Sequence, residues 1–235
     1  MKIAILFILP LLLTAQGKRD YIWLLGGNRT FTTDTNFQGF QLDFNSKPLS
    51  IYVKDRPNPI IRQNNASICD KNGNLLMYTA GCNISDRLFK PMPNGKINEG
   101  FVWDFSCNRG DYGVFNGSLI IPATIDKNKY IVLHKFVEFD IDTLAGVTCT
   151  KLLYSVVDMN QNNGYGDLIS KNNIAIEKYL SFSELSGTRH TNNLDWWIIS
   201  PGTNNNYYYK LKLHGTLVDF DSEQRIGSDF IDYGG

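Results

Sequence analysis

Apolar positions along this chain fall into short runs of four to eight residues, each closed by a polar turn, and the period within them is nearer two than 3.6. The clearest case is Ala66 to Cys82, which reads Ala-Ser-Ile-Cys-Asp-Lys-Asn-Gly-Asn-Leu-Leu-Met-Tyr-Thr-Ala-Gly-Cys. Asn72-Gly73 between two apolar runs is a strong hairpin signal, because a tight primed turn needs positive φ at both central residues. Leu75, Leu76, Met77 and Tyr78 are apolar on both faces, so this strand is expected to be covered on both sides.

Other runs follow the same design. Tyr21-Ile-Trp-Leu-Leu opens the pattern, Gly39 to Phe44 alternates with period two, and Ser50-Ile-Tyr-Val continues a meander. Ser118 to Pro122, a turn at Asp126–Lys129 and Tyr130 to His134 repeat the hairpin. Trp196 to Ser200, a turn at Pro201–Asn206 and Tyr207 to Leu213 read as a third copy. Leu152–Met159 and Ile174–Phe182 are further strands. Asp86 to Gly113, with Pro91, Pro93 and two Asn/Gly turns, reads as a long irregular loop, and loops of that length often carry function. No amphipathic helical segment of convincing length occurs. The pattern predicts an all-β chain of stacked antiparallel blades, β-propeller-like; at roughly 50 residues per blade, about four blades fit.

The first fifteen residues break the pattern. One lysine, an apolar run from Ile3 to Leu13 and Thr14-Ala15 have the layout of a secretory signal peptide cut after Ala15. That leaves 16–235 as one β-propeller-like domain. The run is shorter than the roughly 20 residues that cross a bilayer, and no other stretch qualifies, so no membrane span is expected after the leader is removed. In the 235-residue chain, 23 basic side chains balance 23 acidic ones. Without a basic excess there is no electrostatic case for nucleic acid.

Export permits disulfides among Cys69, Cys82, Cys107 and Cys149. With the turn at Asn72-Gly73, Leu76 is expected opposite Cys69. Cys82 then lies six residues further on, roughly 20 Å away at about 3.3 Å per residue. A disulfide needs Cα atoms within about 7 Å, so a regular hairpin excludes Cys69–Cys82. Cys82–Cys107, closing the long loop, is the pairing expected among those that remain.

Several motifs share a distinctive order: Ile68 to Cys82, Met92-Pro-Asn-Gly95, Val157-Asp-Met-Asn160, Asn163-Gly-Tyr-Gly-Asp167, Lys171-Asn-Asn173 and His190-Thr-Asn-Asn-Leu-Asp-Trp-Trp197. Over about residues 21–233 they resemble the amino-terminal β-propeller (WD40-like) region of large secreted proteins of the Bacteroidetes. Those proteins carry PKD-type domains and a carboxy-terminal sorting signal for type IX secretion, and some are linked to gliding motility. The resemblance implies a secreted or cell-surface binding or scaffold module whose partners are surface proteins or polysaccharide. A complete member continues through more blades and a sorting domain, so the resemblance marks this as a partial chain.

The chemistry is sparse. With three histidines, His134, His190 and His214, and no His-Glu-x-x-His, Gly-x-Ser-x-Gly or phosphate loop, no catalytic signature emerges, and no metal or cofactor is expected. Asp70, Asn72 and Asn74 offer alternating oxygens, but glycine and glutamate are misplaced for a calcium loop, and a hairpin turn explains them better. The most pointed cluster is His190, Asp195, Trp196 and Trp197, an aromatic platform for a sugar with Asp195 as hydrogen-bond partner. The plainer alternative is that the tryptophans begin a core strand while His190 and Asp195 tie a loop. The expectation is a non-catalytic module. The rival is a glycan hydrolase or lyase on a similar propeller, which needs two carboxylic acids about 5 to 9 Å apart.

Overall fold

The computed structural model describes residues 17–26, 39–54, 63–107, 112–139, 146–183 and 185–229. The leader segment 1–15, the Arg56–Pro59 loop and the final residues 230–235 lie outside the described residues. The fold is all-β. Fifteen described strands form four antiparallel sheets, and in each sheet every strand pairs with its neighbour in the chain. Sheet one contains β1 (Ile22–Leu25), β2 (Gly39–Asp43) and β3 (Ser50–Lys54). Sheet two contains β4 (Ala66–Cys69), β5 (Leu75–Thr79), β6 (Asn83–Asp86) and β7 (Pro91–Lys96). Sheet three contains β8 (Ser118–Pro122), β9 (Lys129–Phe139), β10 (Val147–Asp158) and β11 (Asp167–Leu180). Sheet four contains β12 (Ser186–Arg189), β13 (Trp196–Pro201), β14 (Tyr207–His214) and β15 (Leu217–Arg225). A short helix, α1 (Phe101–Ser106), follows β7.

The β4–β5 hairpin forms, but not through the expected two-residue primed turn. Of Asn72 and Gly73 only Gly73 has positive φ, 93°. Gly73 N donates to Asp70 O at 3.1 Å and Asp70 N to Asn74 O at 2.8 Å, and Asp70 Oδ1 accepts N–H bonds from Asn72 at 2.8 Å and Asn74 at 2.9 Å. The expected register is corrected by one residue: Cys69 faces Leu75, because the ladder shifts between Ile68 and Cys69. Leu75–Tyr78 is covered on both faces. Met77, fully buried, packs with Ile84, Val132 and Val157 towards sheet three, while Tyr78, also fully buried, packs with Ile22 and Leu24 of sheet one. Each such side chain removed from water contributes about 1.5–3 kcal/mol.

The supposed loop Asp86–Gly113 is in fact the fourth strand of sheet two followed by α1. Pro91 and Pro93 sit in β7, which is the outer edge of its sheet, where a missing N–H breaks no ladder. The predicted bridge Cys82–Cys107 is present with Cα atoms 5.7 Å apart, and it ties the end of α1 to the β5–β6 turn. Cys69 and Cys149 are buried thiols outside any disulfide. At that turn Gly81 has φ 84°, and a Cβ there would stand 2.4 Å from Asn64 Nδ2 and 2.7 Å from Tyr112 Cβ, so no larger residue fits.

The third hairpin copy also needs correction. Trp196–Ser200 and Tyr207–Leu213 are the second and third strands of sheet four, whereas the earlier copies are first and second strands. The first strand, β12, is Ser-Gly-Thr-Arg and has no apolar residue to announce it.

Neighbouring sheets meet through like strands: β4 with β8, β8 with β12, β7 with β11, and β11 with β15. The bonds Asn116 N→Gln63 O (2.9 Å) and Leu185 N→Asn116 O (3.3 Å) join the approaches to β4, β8 and β12, so these three first strands run side by side in one direction. Sheet one differs. Cys69 N→Arg19 O (2.8 Å) and Ser67 Oγ→Ile22 O (3.2 Å), with Asn65 Nδ2 donating to Leu24 O, set β1 antiparallel to β4. By direction, β1, β2 and β3 therefore alternate starting opposite to β4, β8 and β12. Their outward face is apolar in every row, Trp23–Leu42–Ile51 and Leu25–Phe40–Val53, with Ile51 62% exposed.

A buried polar thread links sheets two and three. Asn98 donates from Nδ2 to Gly81 O at 3.0 Å, and its Oδ1 accepts from His134 Nδ1 at 2.7 Å. His134 Nε2 then accepts from Ser155 Oγ at 3.0 Å, while that oxygen accepts the Asn172 N–H at 3.1 Å. With acceptors and donors so matched, the imidazole is neutral with its proton on Nδ1. Complete burial pushes its pKa down to about 3. Next to it, the fully buried Lys135 sends its ammonium to Ser181 O at 2.5 Å and Ser183 O at 2.6 Å, which pins the loop entering sheet four.

Candidate functional site

The cluster centred on residues 190–195 occupies the turn between β12 and β13. The turn is closed from both ends: His190 N donates to Asp195 O at 2.9 Å and Asn193 N to His190 O at 3.0 Å. Asn193 takes positive φ, 57°, which asparagine tolerates better than most residues. Asn192 organises the interior. Its Oδ1 accepts from Leu194 N and Asp195 N, both at 3.0 Å, and its Nδ2 donates to Asp195 Oδ2 at 2.9 Å.

Asp195 is 4% exposed and answers to three donors. Besides Asn192, His214 Nδ1 lies 2.6 Å from Oδ1, and Lys212 Nζ lies 3.9 Å from Oδ2. The Asn192 amide, followed by the His214 ring, holds the carboxyl below the usual carboxylate range. His190 is fixed differently: its Nδ1 accepts the Asn192 N–H at 3.0 Å, which turns Nε2 away from the turn. Its ring lies 4.9 Å from that of Trp197, inclined by 44°.

Trp196 and Trp197 do not form a joint platform. Consecutive strand residues point to opposite faces. Trp196 packs against the core between sheets three and four, under the Arg189 guanidinium at 4.8 Å. Trp197 lies on the outward face of sheet four, where Lys210 Nζ stands 4.5 Å from its ring centre. Lys210 is itself held by Asp221 at 3.0 Å, and this contact lowers the Asp221 pKa. The strand register does the rest: Thr188, Trp197, Lys212 and Asp219 form one cross-strand row.

The fold thus gathers His190, Asp195 and Trp197 on one face, sends Trp196 to the other, and adds three residues that sequence reasoning missed: Lys210, Lys212 and His214. The alternation Lys210-Leu-Lys-Leu-His214 was the available signal, since it assigns the two lysines to one face. The resulting surface is a half-exposed indole flanked by an imidazole and an ammonium, with a fixed carboxylate and its imidazole at one end. Such a surface offers stacking and directed hydrogen bonds to a flat polar ligand. Among the described residues no group of three or more His, Cys, Asp or Glu side chains is placed to hold a metal ion, and no helix is long and apolar enough to cross a membrane.

No family model, no curated protein and no solved structure matches this chain.

Proposed function

We propose that this chain is a non-catalytic recognition module, built from propeller-type blades and working outside the cytoplasm, that holds a polysaccharide on the outward face of sheet four. The observation that carries the reading is the Trp197 ring, held between His190 and Lys210 on a rigid strand rather than on a loop. Aromatic faces stack on the C–H faces of sugars, and pre-positioned rings lose little entropy on binding. The propeller reading is supported by the parallel run of β4, β8 and β12 and by the meander of every sheet. Work outside the cytoplasm is supported by the Cys82–Cys107 bridge and the leader-like start of the sequence.

Affinity electrophoresis through a panel of bacterial and plant polysaccharides tests this directly. A retarded band for the wild type and a loss of at least about tenfold in affinity for Trp197→Ala support the reading. Binding to a surface protein that is unchanged in Trp197→Ala refutes it. The Asp195–His214 pair is the observation that keeps an enzyme in view: glycan cleavage abolished by Asp195→Asn or His214→Gln would replace binding by hydrolase or lyase chemistry.

A further inference from the structure

At the opposite end of the molecule from the Asp195 turn, α1 and the adjoining strands enclose a second concavity. Phe101 and Phe105, four residues apart on one helical face, form one wall. Val137 and Phe139 of β9, Val147 of β10 and Phe182 form the others, around a cavity of about 280 Å³. Polar side chains are few: Ser106 and Tyr112. The Tyr112 hydroxyl, which borders the cavity, accepts the Val137 N–H and donates to Val137 O, each at 3.1 Å. None of the described lining side chains is charged.

The walls are held open. The Cys82–Cys107 bridge anchors one end of α1. Trp103, on the side of the helix away from Phe101 and Phe105, donates from Nε1 to Cys82 O at 3.0 Å and lies under Lys96 Nζ at 3.7 Å. The rim is unusual for a surface: Phe101 is 67% exposed, Phe105 54% and Phe139 38%, with the Phe101 and Phe139 rings 5.6 Å apart. Large aromatic side chains left in water around an apolar hollow are what an apolar ligand site requires.

From this geometry we infer that the pocket between α1, β9 and β10 binds a small, uncharged apolar molecule with the bulk of two aromatic rings. Size and chemistry select the occupant. An apolar cavity of about 150 Å³ accommodates benzene, so a volume near twice that accepts a bicyclic or equivalent aliphatic group. A charged ligand would lose its hydration and meet no opposite charge among the described lining residues. The site is separate from the Trp197 face and independent of the function proposed for it.

The test is fluorescence titration of the intact chain at neutral pH with 1-aminonaphthalene, an uncharged two-ring probe whose emission shifts to the blue in apolar surroundings. The expected result is saturable binding of one probe per chain. Phe101→Ser and Phe105→Ser, at exposed positions that leave folding intact, should each weaken it by about tenfold or more. Val147→Trp should fill the cavity and abolish binding, with circular dichroism confirming retained strand content. Reduction of Cys82–Cys107 should weaken binding by loosening α1. The outward face of sheet one supplies the control: Ile51→Lys should leave the signal unchanged. Non-saturable binding overturns the inference. So does a signal that survives both phenylalanine substitutions or disappears with Ile51→Lys.

Discussion

Acid should loosen this fold well above the pH at which its carboxylates titrate, through one side chain. His134 is completely buried, and its two ring nitrogens are committed as donor to Asn98 and acceptor from Ser155. Its pKa falls from 6.5 to about 3. The unfolded chain therefore binds a proton at moderately acidic pH while the folded chain does not. The stability that the neutral ring contributes is complete above pH 6.5 and is lost progressively as pH falls from 6.5 towards 3. For those two values linkage gives a penalty of roughly 2–3 kcal/mol at pH 4.5 and almost none at pH 7. Asp70, Asp126, Asp195 and Asp221 all have pKa values below 3.8, so their contributions disappear only at lower pH. Urea unfolding at pH 7 and pH 4.5, followed by tryptophan fluorescence, measures the difference. The wild type should lose roughly 2–3 kcal/mol across the interval. His134→Gln, less stable at pH 7 because the thread is cut, should lose less than about 1 kcal/mol. Since both proteins share every carboxylate, an equal loss in the two would refute the argument.

Two further outcomes follow from the covalent and ionic ties. Opening the bridge between Cys82 and Cys107, separated by 25 residues, frees a loop whose closure is worth about 3 kcal/mol in the chain-entropy account, and urea midpoints with and without reductant should differ accordingly. Lys135→Met keeps the buried stem but leaves the carbonyls of Ser181 and Ser183 without their shared ammonium. Chemical denaturation should register a loss of about 2–4 kcal/mol, whereas a gain would mean that desolvating the charge outweighs its bonds.

The parts of this architecture that were readable from the residues are those where local chemistry and burial agree. The β4–β5 hairpin has both its turn residues and two apolar faces, and it forms at the expected place, although a ladder irregularity at Cys69 moved the register by one. Reach excluded only Cys69–Cys82; Cys82–Cys107, chosen among the remaining pairings because it closes the long loop, is the bridge that forms. Strands decided by position in the assembly were not readable. β7 contains two prolines that argue against a strand, and only its place on an outer edge makes them harmless. β12 is an edge strand of its sheet whose serine, glycine, threonine and arginine are all exposed, so no hydrophobic period marks it. The opposite placement of Trp196 and Trp197 was not readable for a related reason. Adjacent tryptophans look like one platform in a linear reading, but strand pleating separates them. His214 and Lys212 come within reach of Asp195 only through the β13–β14 register, which spans the whole turn at 202–206.

The pairing of strands with their chain neighbours inside each sheet has a consequence for biogenesis. Each sheet completes its own hydrogen-bond ladder from a contiguous stretch of polypeptide, so it can close as soon as that stretch is free, without waiting for distant sequence. Duplicating or deleting one whole sheet would rethread nothing, which makes the sheet, rather than the residue or the domain, the natural increment by which such a chain lengthens or shortens.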